Sequence, residues 1–347
     1  MSESCQSRCN PVVCQVVAEA YYPGGLEKHF IEMCNGLARR CAVHAIAHES
    51  YREHLDDTVI FHPLDLSRSR RNPRLLWQLA RLLRSLDADI VHAHAKKAGY
   101  ILSQVARLIP QKTVITLHNL TLARNWMKRV DGVICVSKTI TESLPGLSAH
   151  VVYNGIEPGN TDQTFTYPTP GRKVLAAGRL APAKGFDVLI EAFRPIDAHL
   201  YIAGEGDERK RLEALASKAG VVDKVHFLGY RNDLPALIEA ADMVAISSRR
   251  EGFSYVFAEA LLAGTPVIST DVPVPCEILT EEFIVPIGDA AALGKLIQYA
   301  LDHHDEVTQR FSEWFEFGRR SFTIEAMVEN TCGVYRQITG LSSRKRV

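Results

Sequence analysis

The 347-residue chain is expected to fold as an α/β protein of two domains, and three observations lead there. Short apolar runs alternate with amphipathic stretches along the whole chain, the pattern of helices packed on both faces of parallel sheets. The length favours about two domains over one, and 46% hydrophobic with 23% charged residues is enough to bury a large core and exclude disorder as the main state. Residues 154–171 are rich in Pro and Gly, have hardly any apolar periodicity, and therefore read as a linker.

The elements follow in order. Apolar runs at 12–18, 41–47, 59–61, 90–93, 113–117, 132–136 and 150–153 are short enough for strands, and amphipathic stretches at 26–39, 73–86, 99–108 and 138–144 separate them as helices. Beyond the linker a second series has strands at 173–177, 199–203, 225–228, 243–246 and 266–269, with helices at 186–193, 208–218, 234–240, 255–263 and 290–304. A long helical segment, 323–338, closes the chain. The expected domains are 1–160, 161–320 and a C-terminal helix and tail, 321–347, that packs back on the first.

Forty basic and forty acidic side chains cancel, so net charge offers no argument for nucleic-acid binding. The cancellation hides an asymmetry: residues 1–165 hold 19 basic and 15 acidic groups, leaving 21 and 25 for the remainder. Six arginines lie between Ser67 and Leu86. At 100° per residue Leu75, Leu79, Leu82, Leu83 and Leu86 share one helix face, while Arg74, Trp77, Arg81 and Arg84 share the opposite one. A basic helix with an interfacial aromatic suits anionic lipid heads; an ordinary solvated helix is the plain alternative.

Cysteines stand at 5, 9, 14, 34, 41, 135, 276 and 332, with no CxxC pair and no histidine at finger spacing, so no zinc finger is expected. Cys14 and Cys135, inside apolar runs, read as buried free thiols. Residues 1–10 are polar, and no apolar run approaches the ~18 to 20 residues that cross a bilayer, so a cytoplasmic chain is expected.

Ligands of open α/β sheets bind beyond the carboxyl ends of strands. After the run at 173–177 come Gly178-Arg179-Leu180 and Lys184-Gly185, two cations in a short loop that suit a diphosphate, or alternatively solvated surface charge. Glu251 and Glu259 flank Gly252-Phe253-Ser254-Tyr255 at a loop-to-helix junction. Were the stretch all helical they would lie about 12 Å apart along its axis, with the 252–255 amides facing an anion. The plain alternative is a glutamate favouring the helix dipole.

These segments occur in one order with Ala203-Gly204-Glu205-Gly206, His226-Phe227-Leu228-Gly229-Tyr230 and Gly264-Thr265-Pro266-Val267-Ile268. The set closely resembles the donor-binding domain of retaining glycosyltransferases of family 4, which have the GT-B fold of two facing Rossmann-like domains with parallel sheets and an interdomain cleft. In the first half, Tyr22-Pro23-Gly24-Gly25-Leu26-Glu27, Ile90-Val91-His92-Ala93-His94, Thr116-Leu117-His118 and 133–137 resemble the acceptor-side landmarks, and 152–156 the interdomain join.

The resemblance implies roles. Arg179 and Lys184 hold the nucleotide diphosphate, Glu259 accepts hydrogen bonds from the ribose, and Glu251 contacts the donor sugar or phosphate. Gly252, Phe253 and Ser254 complete the donor loop, and Gly24 and Gly25 let the N-terminal loop approach the donor, where a Cβ would obstruct. His94 stands beside the transfer centre, His118 lines the acceptor side, and His92, pointing the other way, belongs to the core. Arg179 and Lys184 would stabilise charge on the departing nucleotide, so no metal and no cofactor are expected. The Asp87-Ala88-Asp89 motif precedes a strand and reads as a turn.

The implied activity is metal-independent, retaining transfer of a hexose from a nucleotide sugar, UDP on family frequency alone, to a glycan or lipid-linked acceptor of cell-envelope polysaccharide or lipopolysaccharide. Peripheral contact with the inner face of the plasma membrane through 68–84 belongs to the same expectation, and nucleic acid does not. The sequence departs from the family at Val272-Pro273-Val274-Pro275-Cys276-Glu277, where a glycine-containing turn is usual, and at Thr280-Glu281-Glu282-Phe283, where an Asp-Gly-x-x-Gly turn is missing. The alternatives are a non-catalytic nucleotide-sugar-binding or assembly protein, and a GT-B nucleotide-sugar epimerase, whose acidic catalytic set is not apparent. A dehydrogenase is excluded by the lack of GxGxxG after the first strand.

Overall fold

The computed structural model describes residues 11–22, 24–157 and 164–340. Cys5, Cys9, the polar start 1–10, Pro23, the centre of the expected linker (158–163) and the end of the tail (341–347) lie outside the described residues. The chain divides into two compact units, one running to Gly155 and resuming at Ile324, the other Ile156–Thr323.

Unit 1 contains β1 (Val13–Val16), α1 (Gly25–Ala38), β2 (Val43–Ala47), β3 (Ile60–Pro63), α2 (Pro73–Ser85), β4 (Ile90–His94), α3 (Ala95–Val105), β5 (Lys112–Leu117), β6 (Gly132–Cys135), α4 (Lys138–Glu142) and β7 (Ala149–Val151). Its seven strands pair in parallel in the order β3-β2-β1-β4-β5-β6-β7. Both faces of β1 are buried, as a central parallel strand requires. Strand order reverses between β1 and β4, which makes their carboxyl ends the natural place for a ligand.

Unit 2 contains β8 (Lys173–Ala177), α5 (Phe186–Ala192), β9 (His199–Ala203), α6 (Arg209–Ala219), β10 (Val225–Gly229), α7 (Leu234–Ala240), β11 (Met243–Ile246), α8 (Tyr255–Ala263), β12 (Val267–Thr270), α9 (Pro275–Ile278), β13 (Ile284–Val285), α10 (Ala290–Asp302), α11 (His304–Arg310) and α12 (Ser312–Ser321). Six parallel strands run β10-β9-β8-β11-β12-β13, with the reversal between β8 and β11. The end residues of this unit, Ile156 and Thr323, meet in an isolated parallel bridge.

The last helix, α13 (Ile324–Thr339), completes the core of unit 1. Ile324, Met327, Val328, Thr331, Val334 and Tyr335 form its buried stripe at three- and four-residue spacing. It lies so close to α1 that a Cβ on Gly36 would come within 2.8 Å of both Ile324 and Val328.

Several expected boundaries move. The expected linker is partly structural: Tyr167 is buried, its ring 4.3 Å from that of Tyr201 and its hydroxyl donating to the Leu237 carbonyl at 2.8 Å. The helix expected from 99 starts at Ala95, directly from β4, with Ala95 in the left-handed region at φ +65°. The helix expected over 290–304 ends at Asp302, where His303 breaks it and α11 follows. The acidic motif is a turn: Asp89 accepts the Val12 N–H at 2.8 Å, tying the entry of β4 to β1. Cys14 and Cys135 are buried free thiols. Helix α2 buries Leu75, Leu79, Ala80 and Leu83 and turns Arg74, Trp77, Arg81 and Arg84 outward.

The glycine-free 272–277 segment adopts a conformation suited to glycine. Fully buried Val274 sits at φ +77°, ψ −60°, which is strained for a β-branched residue by about 1–3 kcal/mol. Burial of its side chain contributes about 1.5–3 kcal/mol in the other direction. Val274→Gly, which removes both, is expected to leave the melting temperature nearly unchanged, whereas Val274→Ala loses burial without relieving the strain and lowers it by several degrees. Paired thermal melts check this; equal losses would refute the assigned strain.

Candidate active site

In unit 2 Arg179 and Lys184 follow the carboxyl end of β8, and Glu251 to Ser254 follow that of β11, the pair flanking the switch point. The loop after β8 is fixed from below by the 203–206 segment: Gly178 N–H donates to Ala203 O at 2.9 Å, and Leu180 N–H to Glu205 O at 2.8 Å. Gly204, at φ +142°, lets the two backbones touch, since a Cβ there would lie 1.9 Å from the Gly178 carbonyl oxygen. This is the physical content of the Ala203-Gly204-Glu205-Gly206 motif.

The loop after β11 fixes the other side. Ser247 Oγ donates to Lys184 O at 2.9 Å and Arg249 N–H to Ala183 O at 2.8 Å. The Arg249 guanidinium grips Asp187 with two bonds of 2.7 and 2.8 Å and holds its carboxyl below the usual range. Gly185, at φ +65°, permits the contact, because a Cβ there would be 2.0 Å from Ser247 O. Arg249 and Asp187 went unnoticed in the sequence because 62 positions separate them.

Lys184 Nζ donates to Glu251 Oε1 at 2.6 Å, and Ser248 Oγ donates to the same oxygen at 2.8 Å. The lysine side chain is 25% exposed and the glutamate 10%, so the pair is weakly screened. Together with Ser247, Ser248, Ser254 and Val256 they line a small cavity. Arg179 is exposed, with no hydrogen bond or ion pair to its guanidinium among the described residues.

The Glu251 to Glu259 stretch is not all helical. Helix α8 starts at Tyr255, so only Glu259 is on it, half-buried in the second turn. The cause is Ser254, an N-cap whose Oγ accepts the Phe257 N–H at 3.4 Å. Phe253 is buried, 5.5 Å from the Phe322 ring, and Gly252 is buried beside it. Phe253 and Ser254 therefore shape the loop from within.

In unit 1, β4 delivers His92 and His94, α1 delivers His29, and His118 follows β5. The rings of His29 and His94 are 5.1 Å apart, those of His29 and His118 4.5 Å, and those of His92 and His94 4.4 Å. His92 occupies the core, bonded to Thr116 Oγ1 at 2.6 Å and to the Tyr335 hydroxyl at 2.7 Å. Gln15 Nε2 donates to that hydroxyl at 3.0 Å, and Gln15 Oε1 meets His94 Nε2 at 2.8 Å. With this amide orientation His94 carries its proton on Nε2 and presents Nδ1 as a lone pair.

Burial pushes His29 down to about 4, against an opposing contact with Asn154, and His92 down to about 3, helped by the charge of His29. Burial and the neighbouring histidines hold His94 and His118 well below the ordinary value too. All four imidazoles are neutral at pH 7. Sequence reading missed His29 and Gln15, although Gln15 is the one polar residue in the apolar run at 12–18.

Gly24 and Gly25 open α1. Gly24 is extended at φ −170°, open to any residue, and the one tight contact a Cβ would make is with the Glu27 carboxylate at 2.8 Å, the end of a flexible side chain. No contact within unit 1 demands glycine there. No helix among the described residues is long and apolar enough to cross a membrane.

The family model of glycosyltransferase family 4 matches residues 23–160, and that of glycosyl transferases group 1 matches 161–314. The chain is 28% identical to phosphatidyl-myo-inositol mannosyltransferase of Mycobacterium leprae, over 94% of this chain and 96% of that protein. It is 25% identical to the lipopolysaccharide core biosynthesis glycosyltransferase LpsD of Rhizobium meliloti, over 80% and 85% respectively. Among solved structures, a glycosyltransferase from Rickettsia africae superposes with a TM-score of 0.81 at 19% identity, covering 96% of this chain and all of that one. Anabaena Alr3699/HepE, solved with UDP-glucose, superposes at 0.77 and 19% identity, covering 94% and 99%. The shared fold is that of two Rossmann-like domains, each built on a parallel sheet.

Proposed function

The chain belongs to the glycosyltransferases described by those two family models, and from that premise we propose that it transfers a hexose from a nucleotide sugar, most simply a UDP-sugar, to a glycan or lipid-linked acceptor of the cell envelope. The observation that carries the reading is the Lys184–Glu251 pair at the switch point of unit 2, its lysine on the same loop after β8 as the exposed Arg179. Cleaving a sugar–phosphate bond builds charge on the departing diphosphate. Arg179 and Lys184 supply fixed positive charge there, which is why transfer proceeds without a metal. Glu251 keeps Lys184 oriented and reaches the donor sugar, while Glu259 accepts from the ribose hydroxyls. The M. leprae and R. meliloti relatives support an envelope acceptor, and the Anabaena complex supports UDP.

His94, neutral and held by Gln15, stands at the transfer centre, with His118 towards the acceptor. Transfer retains anomeric configuration, the acceptor attacking the face that the nucleotide leaves. Gly24, which its own backbone conformation does not require to be glycine, leaves room for close approach of the donor.

A thermal-shift screen of UDP-, GDP- and ADP-sugars tests the donor, since a ligand that binds the folded state raises the melting temperature. A selective rise with UDP-sugars, abolished in Arg179→Ala, is expected; no shift with any of them would overturn the reading. His94→Ala is expected to lower kcat more than it raises KM.

The outward face of α2 supports peripheral binding to an anionic membrane on the cytoplasmic side. Trp77 is 61% exposed, with the Arg81 guanidinium 5.4 Å from its ring centre. Co-sedimentation with anionic vesicles is expected to fall sharply when Arg74, Arg81 and Arg84 are changed to Glu. Unchanged binding would remove the membrane from the proposal.

A further inference from the structure

We propose that His29, His94 and His118 form a binding site for a divalent transition-metal ion, zinc foremost, distinct in purpose from the sugar-transfer chemistry. One ring nitrogen of each lies within 4.8 Å of the others. His94 Nδ1 and His118 Nε2 are buried without a hydrogen-bond partner, and His29, 2% exposed, has the Asn154 side chain facing it but no bond of normal geometry through either nitrogen. Buried imidazole nitrogens seldom go unsatisfied, and three within 4.8 Å of one another have the spacing of a ligand set that closes slightly on binding. Neutral imidazoles suit zinc, nickel or copper, whereas magnesium and calcium call for oxygen donors, and no carboxylate belongs to this group.

The surroundings supply a further requirement. A metal-bound histidine usually donates its other N–H to an oxygen that fixes the ring, and Gln15 Oε1 receives His94 Nε2 at 2.8 Å. Gln15 is itself held by Tyr335. Zinc at ~2.0–2.1 Å from each nitrogen draws them to about 3.3 Å of one another, so the rings move inward by roughly 1 Å on binding. Three protein ligands leave a fourth position for water.

The consequence rests on the role proposed above for His94. Metal on Nδ1 takes that lone pair out of the transfer centre, so zinc acts as a reversible inhibitor of an enzyme that does not need it.

The test uses full-length, tag-free protein. Calorimetric titration with zinc chloride is expected to show one equivalent bound. His29→Gln and His118→Gln should each weaken binding by ~10-fold or more, and Gln15→Leu by about 10-fold. His44→Gln, in the separate pair with His62, should change nothing. Cobalt(II) added to wild-type protein should give the visible bands of a four-coordinate ion. That readout needs no variant to fold, and a six-coordinate spectrum would refute the site. Undiminished binding in the folded double variant His29→Gln/His118→Gln would refute it as well. If zinc binds but leaves transfer untouched, the His94 reading fails and the metal site stands.

Discussion

Lys184→Ala is expected to cut turnover by ~10²–10³-fold, the scale set by removing one fixed donor from a developing anion. Two effects add. The departing diphosphate loses a cation, and Glu251, 10% exposed, is left with Ser248 alone to answer its charge. The uncompensated carboxylate then repels the same diphosphate. Glu251→Gln distinguishes them, for it keeps the lysine and removes the repulsion. Steady-state kinetics with the donor found by thermal shift should show Lys184→Ala falling well below Glu251→Gln in kcat/KM. A Lys184→Ala enzyme within twofold of wild type would refute the assignment.

The second large effect is acid lability. Four histidines of unit 1 are neutral when folded and free to protonate when unfolded, His29 at about 4 and His92 at about 3 against an ordinary value near 6.5. Between these limits the unfolded chain binds more protons, so stability rises with pH. It is fully present above about pH 6.5 and is lost as pH falls towards 4, at up to about 1.4 kcal/mol per pH unit for each group. Against a total of roughly 5–15 kcal/mol this is decisive. Thermal melts from pH 7.5 to 4.5 should show a steep drop, with a shallower slope in His92→Gln. A melting temperature level from pH 7 to pH 5 would contradict the burial of these rings.

The periodicity of the chain made most of this architecture legible, because parallel strands buried on both faces are apolar throughout and their helices are amphipathic. The elements missed were those with weak or mixed signals. β13 is two residues long, and α9 has four. The stripe Val307, Phe311, Phe315 at four-residue spacing was a usable sign of α11 and α12, interrupted by the charges and aromatics around Trp314. At the site, loop residues near one another in sequence, Arg179 and Lys184 or Gly252 and Ser254, were visible as motifs. The contacts that fix the two candidate clusters, Arg249 to Asp187 in unit 2 and Gln15 to His94 in unit 1, join residues 62 and 79 positions apart, and sheet topology alone brings these together.

Helix α13 gives the chain an order of assembly. Everything that Ile156–Thr323 needs is contiguous, so that unit can complete its sheet while synthesis continues. The other unit, though it begins first, must wait for Ile324 to Thr339 to cover α1 and to bring Tyr335 to Gln15 and His92. Until then Gln15 and His92 lack the Tyr335 hydroxyl, and the apolar face that α13 covers stays exposed, a state prone to aggregation. Tyr335, which holds Gln15 beside His94, follows the whole of Ile156–Thr323 in the chain, so this hydrogen-bond chain closes only after unit 2 has been synthesised.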